Sequence, residues 1–141
     1  MNKEESLALL AQGHDAWNAW AANMIKDREA LQAAGDWTAR ENKSAWNDAT
    51  GAWQADAAAN FSGHPFNNFV DFSGFVFPGE AMFGEATFKG DARFGEATFE
   101  GNAQFGKATY EGNAGFLQAV FGGFTAFDGA RFEKAADFRA I

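Results

Sequence analysis

From Phe61 onward the chain places an aromatic residue at alternating steps of five and six, with polar residues and glycine filling the intervals. The positions are Phe61, Phe66, Phe72, Phe77, Phe83, Phe88, Phe94, Phe99, Phe105, Tyr110, Phe116, Phe121, Phe127, Phe132 and Phe138, without a miss. Two residues before most of them stands an alanine; His64, Val70, Phe75 and Thr125 are the exceptions. The underlying unit is clearest in Ala92-Arg-Phe-Gly-Glu-Ala-Thr-Phe-Glu-Gly-Asn102 and its successor at Ala103. An α-helix would scatter steps of five and six around its surface, and each recurring glycine would cost it ~1 kcal/mol. A hairpin sheet would show longer alternation. Ala-x-Phe alternates over three residues only, so alanine and ring point one way and the middle residue the other. Glycine, or a Gly-Asp or Gly-Asn pair, follows and is expected to supply the positive φ of a tight turn. Very short strands joined by repeated corners wind into a solenoid whose coils hydrogen-bond at ~4.8 Å.

The coil length follows from room and charge. An 11-residue coil would stack Glu85 on Glu96 and Glu100 on Glu111, which is unfavourable, and would leave little space for two inward rings. A 22-residue coil with four faces sets Glu85 over Lys107 and Lys89 over Glu111. Four faces are therefore expected, with Gly90-Asp91, Gly101-Asn102 and Gly112-Asn113 as enlarged corners and about four coils spanning ~18 Å. The predicted core is the stack of Phe83, Phe88, Phe94, Phe99, Phe105, Tyr110, Phe116, Phe121, Phe127 and Phe132, each ring worth ~2–3 kcal/mol when buried.

Residues 1–58 follow another pattern. Leu7, Leu10, His14, Trp17, Ala21, Met24 and Leu31 recur at helical spacing, which predicts one amphipathic helix from Glu4 to about Ala34, stopped by Gly35. Thr38-Ala-Arg-Glu41 has the form of a capping box for a second helix carrying Trp46, Trp53 and Ala57 on its apolar side. All five tryptophans lie in this segment and all 17 phenylalanines lie after it, so the two parts pack differently. A two-helix cap over the open solenoid end is expected, since exposed rings and strand edges need cover. A Trp face that docks a partner is the alternative.

Ala-x-Phe-x-x with these glycines resembles the pentapeptide-repeat proteins, in a Phe-rich form where two pentapeptides carry one extra residue. The resemblance runs from Ala59 to Ile141. It implies a mainly β fold, a right-handed quadrilateral parallel β-helix with the α-helical cap before it. Ala16-Trp17-Asn18-Ala19-Trp20 is similar to a segment ahead of the repeats in many bacterial members, which favours the cap. The family also implies candidate roles: a rigid protein-binding scaffold, or an acidic rod that mimics DNA and acts on DNA gyrase. Lys89, Arg93, Lys107, Arg131 and Arg139 interrupt the acidity that the second role needs.

The net charge of −8 argues against direct nucleic-acid binding, because phosphate recognition wants a basic face. No apolar run reaches the ~18 residues of a membrane span, and the first residues lack a signal-peptide layout. With no cysteine, disulfides and thiolate sites are out, and a bacterial cytoplasmic setting is expected. Two histidines without cysteine make no metal set, so no metal and no cofactor is expected. His14 is expected to pack on the helix face, and His64 to mark the helix-to-solenoid junction. Glu85, Glu96, Glu100 and Glu111 fall at outward repeat positions, where acids are usually a solvated face, and no catalytic residue is proposed. Thr87, Thr98 and Thr109 supply too few threonines on any face for ice binding. The next ring would fall five residues after Phe138, so the sequence stops in mid-face with Ile141 at an inward position. Either it is a piece of a longer repeat protein, or Phe132, Phe138 and Ile141 meet another molecule, tail to tail or end to end.

If the rings form one core, Phe105→Ala costs about 3–5 kcal/mol, measured by denaturant unfolding. A change under about 1 kcal/mol would contradict a stacked core.

Overall fold

In a computed structural model the described residues are 1–38 and 45–140. The capping box expected at Thr38–Glu41 runs into the undescribed stretch, and Ile141 also lies outside the described residues. From Ala59 the chain winds into a four-sided solenoid of two-residue strands. Face 1 stacks β1 (Ala59–Asn60), β5 (Ala81–Met82), β9 (Ala103–Gln104) and β13 (Thr125–Ala126). Face 2 stacks β2 (Pro65–Phe66), β6 (Thr87–Phe88), β10 (Thr109–Tyr110) and β14 (Arg131–Phe132). Face 3 stacks β3 (Val70–Asp71), β7 (Ala92–Arg93), β11 (Ala114–Gly115) and β15 (Ala136–Asp137). Face 4 stacks β4 (Val76–Phe77), β8 (Thr98–Phe99) and β12 (Val120–Phe121). All pairings are parallel, and partners lie one 22-residue coil apart, as in Ala81↔Ala103 and Thr87↔Thr109.

Four ring columns fill the interior. Phe83, Phe105 and Phe127 stack at 5.1 and 4.9 Å between centroids; Phe88, Tyr110 and Phe132 stack at 4.8 and 4.7 Å. Phe94, Phe116 and Phe138 follow at 4.9 Å, as do Phe99 and Phe121. Rings of neighbouring columns meet edge to face, as Phe83 meets Phe94 at 5.4 Å and 90°. Each ring therefore gains an offset stack along the axis and a T-shaped contact across it, both favoured by the ring quadrupole. Phe83, Phe88, Phe94, Phe99, Phe105, Tyr110 and Phe116 are fully buried, while Phe121, Phe127, Phe132 and Phe138 are part-buried at the far end.

The corners meet the sequence expectation in part: Gly63, Gly74 and Gly129 take φ of 69°, 70° and 70°. In other short corners it is the residue after the glycine that turns left-handed: Glu85, Glu96 and Lys107 have φ of 60°, 59° and 58°. A backbone bond closes each turn, from Ala86 N–H to the Phe83 carbonyl in the first case. In the enlarged corners glycine is needed for space. A Cβ on Gly112 would lie 2.5 Å from the Gly90 carbonyl carbon of the coil below, and one on Gly101 2.7 Å from Gly79. The residue after it ties the coils together: the Asp91 carboxylate accepts from Asn113 N–H at 2.9 Å, and the Asn102 amide oxygen from Phe124 N–H at 3.0 Å. The expected cross-coil ion pairs do not form. Glu85 and Lys107, like Lys89 and Glu111, share a register position, yet all four side chains are exposed and the pairs stay open. Exposed pairs gain little against the entropy of fixing two long side chains.

Among the described residues three helices, not two, precede the solenoid: α1 (Lys3–Ala11), α2 (His14–Ala33) and α3 (Asp48–Ala57). The helix expected from Glu4 to Ala34 breaks at Gln12-Gly13, where Gly13 takes φ 98°. The break lets α1 reach β1 while α2 reaches β4. Buried Ser6 accepts from Asn60 N–H at 2.9 Å. Trp17, fully buried, donates from its indole to the Val76 carbonyl at 2.9 Å and packs on Phe61, Phe75 and Phe77. The Asn18 amide donates to the Gly74 carbonyl at 3.0 Å and accepts from Val76 N–H at 2.9 Å. These groups stand in for the missing coil beneath β1 and β4. Trp53 is buried between α2 and α3, its indole donating to the Met24 carbonyl at 2.7 Å. The helices are thus a cap.

Two outcomes test this packing. Gly112→Ala is expected to cost about 3 kcal/mol by overpacking against the coil below. Gly115→Ala, on an open strand position where a Cβ would meet nothing within 4 Å, is expected to be neutral or to stabilise by up to ~1 kcal/mol; equal thermal shifts for the two would refute the corner argument. The second concerns His64, half-buried and edge-on to Phe66 at 4.7 Å. Burial, then nearby Lys3, lowers its pKa below the usual 6.5. The unfolded chain then binds the proton more readily, so this contribution is complete above about 6.5 and falls as pH drops toward the folded value. His64→Ala, matching Ala86 one coil on, should flatten stability against pH between about 7 and 5; an unchanged slope would assign it to other groups.

Candidate interaction surface

Every strand turns one side chain outward, so each face carries a column of side chains in register. Face 1 presents Asn60, Met82, Gln104 and Ala126; face 2 presents Pro65, Thr87, Thr109 and Arg131. Face 3 presents Asp71, Arg93, Gly115 and Asp137, and face 4 Val76, Thr98 and Val120. The acids singled out from the sequence, Glu85, Glu96, Glu100 and Glu111, are exposed. They are spread over different corners and faces, so the fold converges none of them on a common point.

The histidines are held in local contacts. His14 lies on the first turn of α2 with its side chain 48% exposed, edge-on to Phe75 at 5.5 Å. Its Nδ1 faces the Asp15 carboxylate at 2.9 Å and its Nε2 the Asn18 amide at 3.1 Å. Among the described residues no group of three His, Asp or Glu side chains could hold a metal ion. Nor is any helix among them long and apolar enough to cross a membrane. Tyr110 is the one polar ring in the columns. Its hydroxyl is buried without a protein partner, and burial pushes its pKa well above the usual range.

Of the end residues expected to meet a partner, Phe132 and Phe138 are part-buried in the last described coil, each stacked on the ring below it, Tyr110 and Phe116. The recesses in the surface are shallow. One of about 270 Å³ lies on face 3 between Arg93 and Asp137, where Gly115 contributes no side chain. Arg93 spreads its guanidinium over the exposed Phe69 ring at 5.1 Å. Arg139 grips Asp137 from Nε and Nη2, at 2.9 and 2.7 Å, which holds that carboxyl below the usual range. The Gly115 gap and the corner roles of Asp91 and Asn102 were not read from the sequence. The recurrence of Asp or Asn directly after Gly90, Gly101 and Gly112 was the available signal for the latter.

A family model described as pentapeptide repeats (9 copies) matches residues 94–141. No curated protein and no solved structure gives a match. The matched stretch covers the last two coils, and the same 22-residue register carries back through every face to Ala59. Residues 94–141 are thus pentapeptide repeats, and the inward Ala and Phe with four faces per coil continue the same solenoid architecture back to Ala59.

Proposed function

We propose that the protein is a non-catalytic scaffold module that holds a protein partner against the rigid faces of its solenoid. The observation that carries this reading is the pairing of a fully buried ring core with outward columns in fixed register. Side chains repeated every ~4.8 Å on a stiff backbone lose little entropy when a partner docks on them. The exposed acids are dispersed, and acid–base chemistry needs them convergent in a water-poor site. A protein partner fits better than nucleic acid, given the net charge of −8.

The rival role of a DNA mimic needs an unbroken acidic rod. Here Lys89, Arg93 and Lys107 are interspersed among Glu85, Asp91, Glu96, Glu100 and Glu111 over the middle coils. Micromolar protein is therefore expected to leave gyrase supercoiling unchanged; inhibition would replace the scaffold reading. For the scaffold itself, a photo-cross-linking residue is placed in turn at Gln104, Thr109 and Val120, one on each of three faces, in the producing cells. The expected result is a discrete adduct with one protein from one face. No adduct from any face, including positions on face 3, would overturn the proposal.

A further inference from the structure

Face 3 has a charge order that the other faces lack. Its column reads Asp71, Arg93, Gly115, Asp137 on consecutive coils, in direct strand register, so its last three positions run positive, neutral, negative. Gly115 sits at the outward position of a strand, the one such position in the solenoid held by glycine. Nothing inside the chain requires it: its φ is not left-handed, and a Cβ there would meet nothing within 4 Å. A glycine in a strand often marks a bulge, a tight bend or the close approach of a ligand or another backbone, and only the last fits an open, regularly paired position.

We propose that face 3 is a self-complementary surface, and that its partner is a second copy of this chain running antiparallel. A two-fold axis along β11 sets Gly115 against its symmetry mate. It brings Arg93 of each copy opposite Asp137 of the other, so these three positions match their own reverse, and Asp71 lies one coil beyond the paired stretch. Parallel pairing would set like charges face to face, so the charges choose the orientation. Arg93 has no carboxylate within ion-pair distance among the described residues, and its guanidinium carbon lies over the Phe69 ring at 5.1 Å, on an exposed residue. Asp137 is already oriented by Arg139, and a carboxylate has lone pairs for a second guanidinium. Leu117, 40% exposed two residues from Gly115, meets its own mate beside the axis and supplies the apolar contact. The contact spans three coils, roughly 15 Å along the axis, so it is smaller than the ~1,200 Å² of a stable complex and the dimer is weak.

This goes beyond the scaffold reading, and a monomeric result would leave that reading standing. Sedimentation equilibrium from micromolar to about millimolar protein is expected to show a monomer–dimer equilibrium weakened by salt. Arg93→Asp alone and Asp137→Arg alone should each raise the dissociation constant at least ~10-fold by setting like charges opposite. The double swap R93D/D137R, and an equimolar mixture of the two single variants, should restore dimerisation. Gly115→Trp should abolish it while circular dichroism and thermal midpoint stay near those of the parent. A monomer at every concentration would overturn the proposal. So would a dimer that ignores the charge swaps, including one lost only on Phe138→Asp, which would place the contact at the last coil.

Discussion

The backbone hydrogen bonds between coils set a rise of ~4.8 Å, and the rest of the molecule is arranged to meet it. Ring centroids in the regular columns stand 4.7–5.1 Å apart because that rise carries them. At this separation parallel rings stack with an offset, and the quarter-turn between faces makes neighbouring columns meet edge to face. Alanine two residues before most of the rings keeps the lumen small enough for the rings to touch. A larger residue there would force the columns apart, and a polar ring such as Tyr110 leaves its hydroxyl without a partner.

The same rise decides what each corner can hold. Where backbones of successive coils pass closest, only hydrogen fits at Gly90, Gly101 and Gly112, and Asp91 and Asn102, which follow the first two, each use a side-chain oxygen to satisfy the amide above. Where the corner is short, the backbone turns left-handed at Glu85, Glu96 and Lys107, at a cost of ~1 kcal/mol or more each. Those turns point the charged side chains into solvent. Register therefore comes from rings and corners, with little help from surface charge.

A solenoid has no natural end, so its first coil needs partners for the strand groups that a lower coil would have met. Ser6, Trp17 and Asn18 provide them for β1 and β4, combining an indole plug with amide and hydroxyl groups that imitate a strand edge. Gly13 makes this possible by letting two short arms of one helical segment reach two different faces.

The spacing of rings, alanines and glycines in the sequence was enough to determine the coil length, the four faces and the inward residues. Those depend on alternation and period, which are local properties of the chain. Three things were decided by tertiary structure. The break at Gly13 depends on where β1 and β4 stand relative to each other, which helical periodicity from Leu7 to Leu31 does not contain. The reason for glycine at the enlarged corners depends on the distance to a residue one coil away, so the sequence suggested a turn conformation where the cause is close approach. The gap at Gly115 between Arg93 and Asp137 exists only once three coils are stacked, because adjacency on a face is a relation between residues 22 apart.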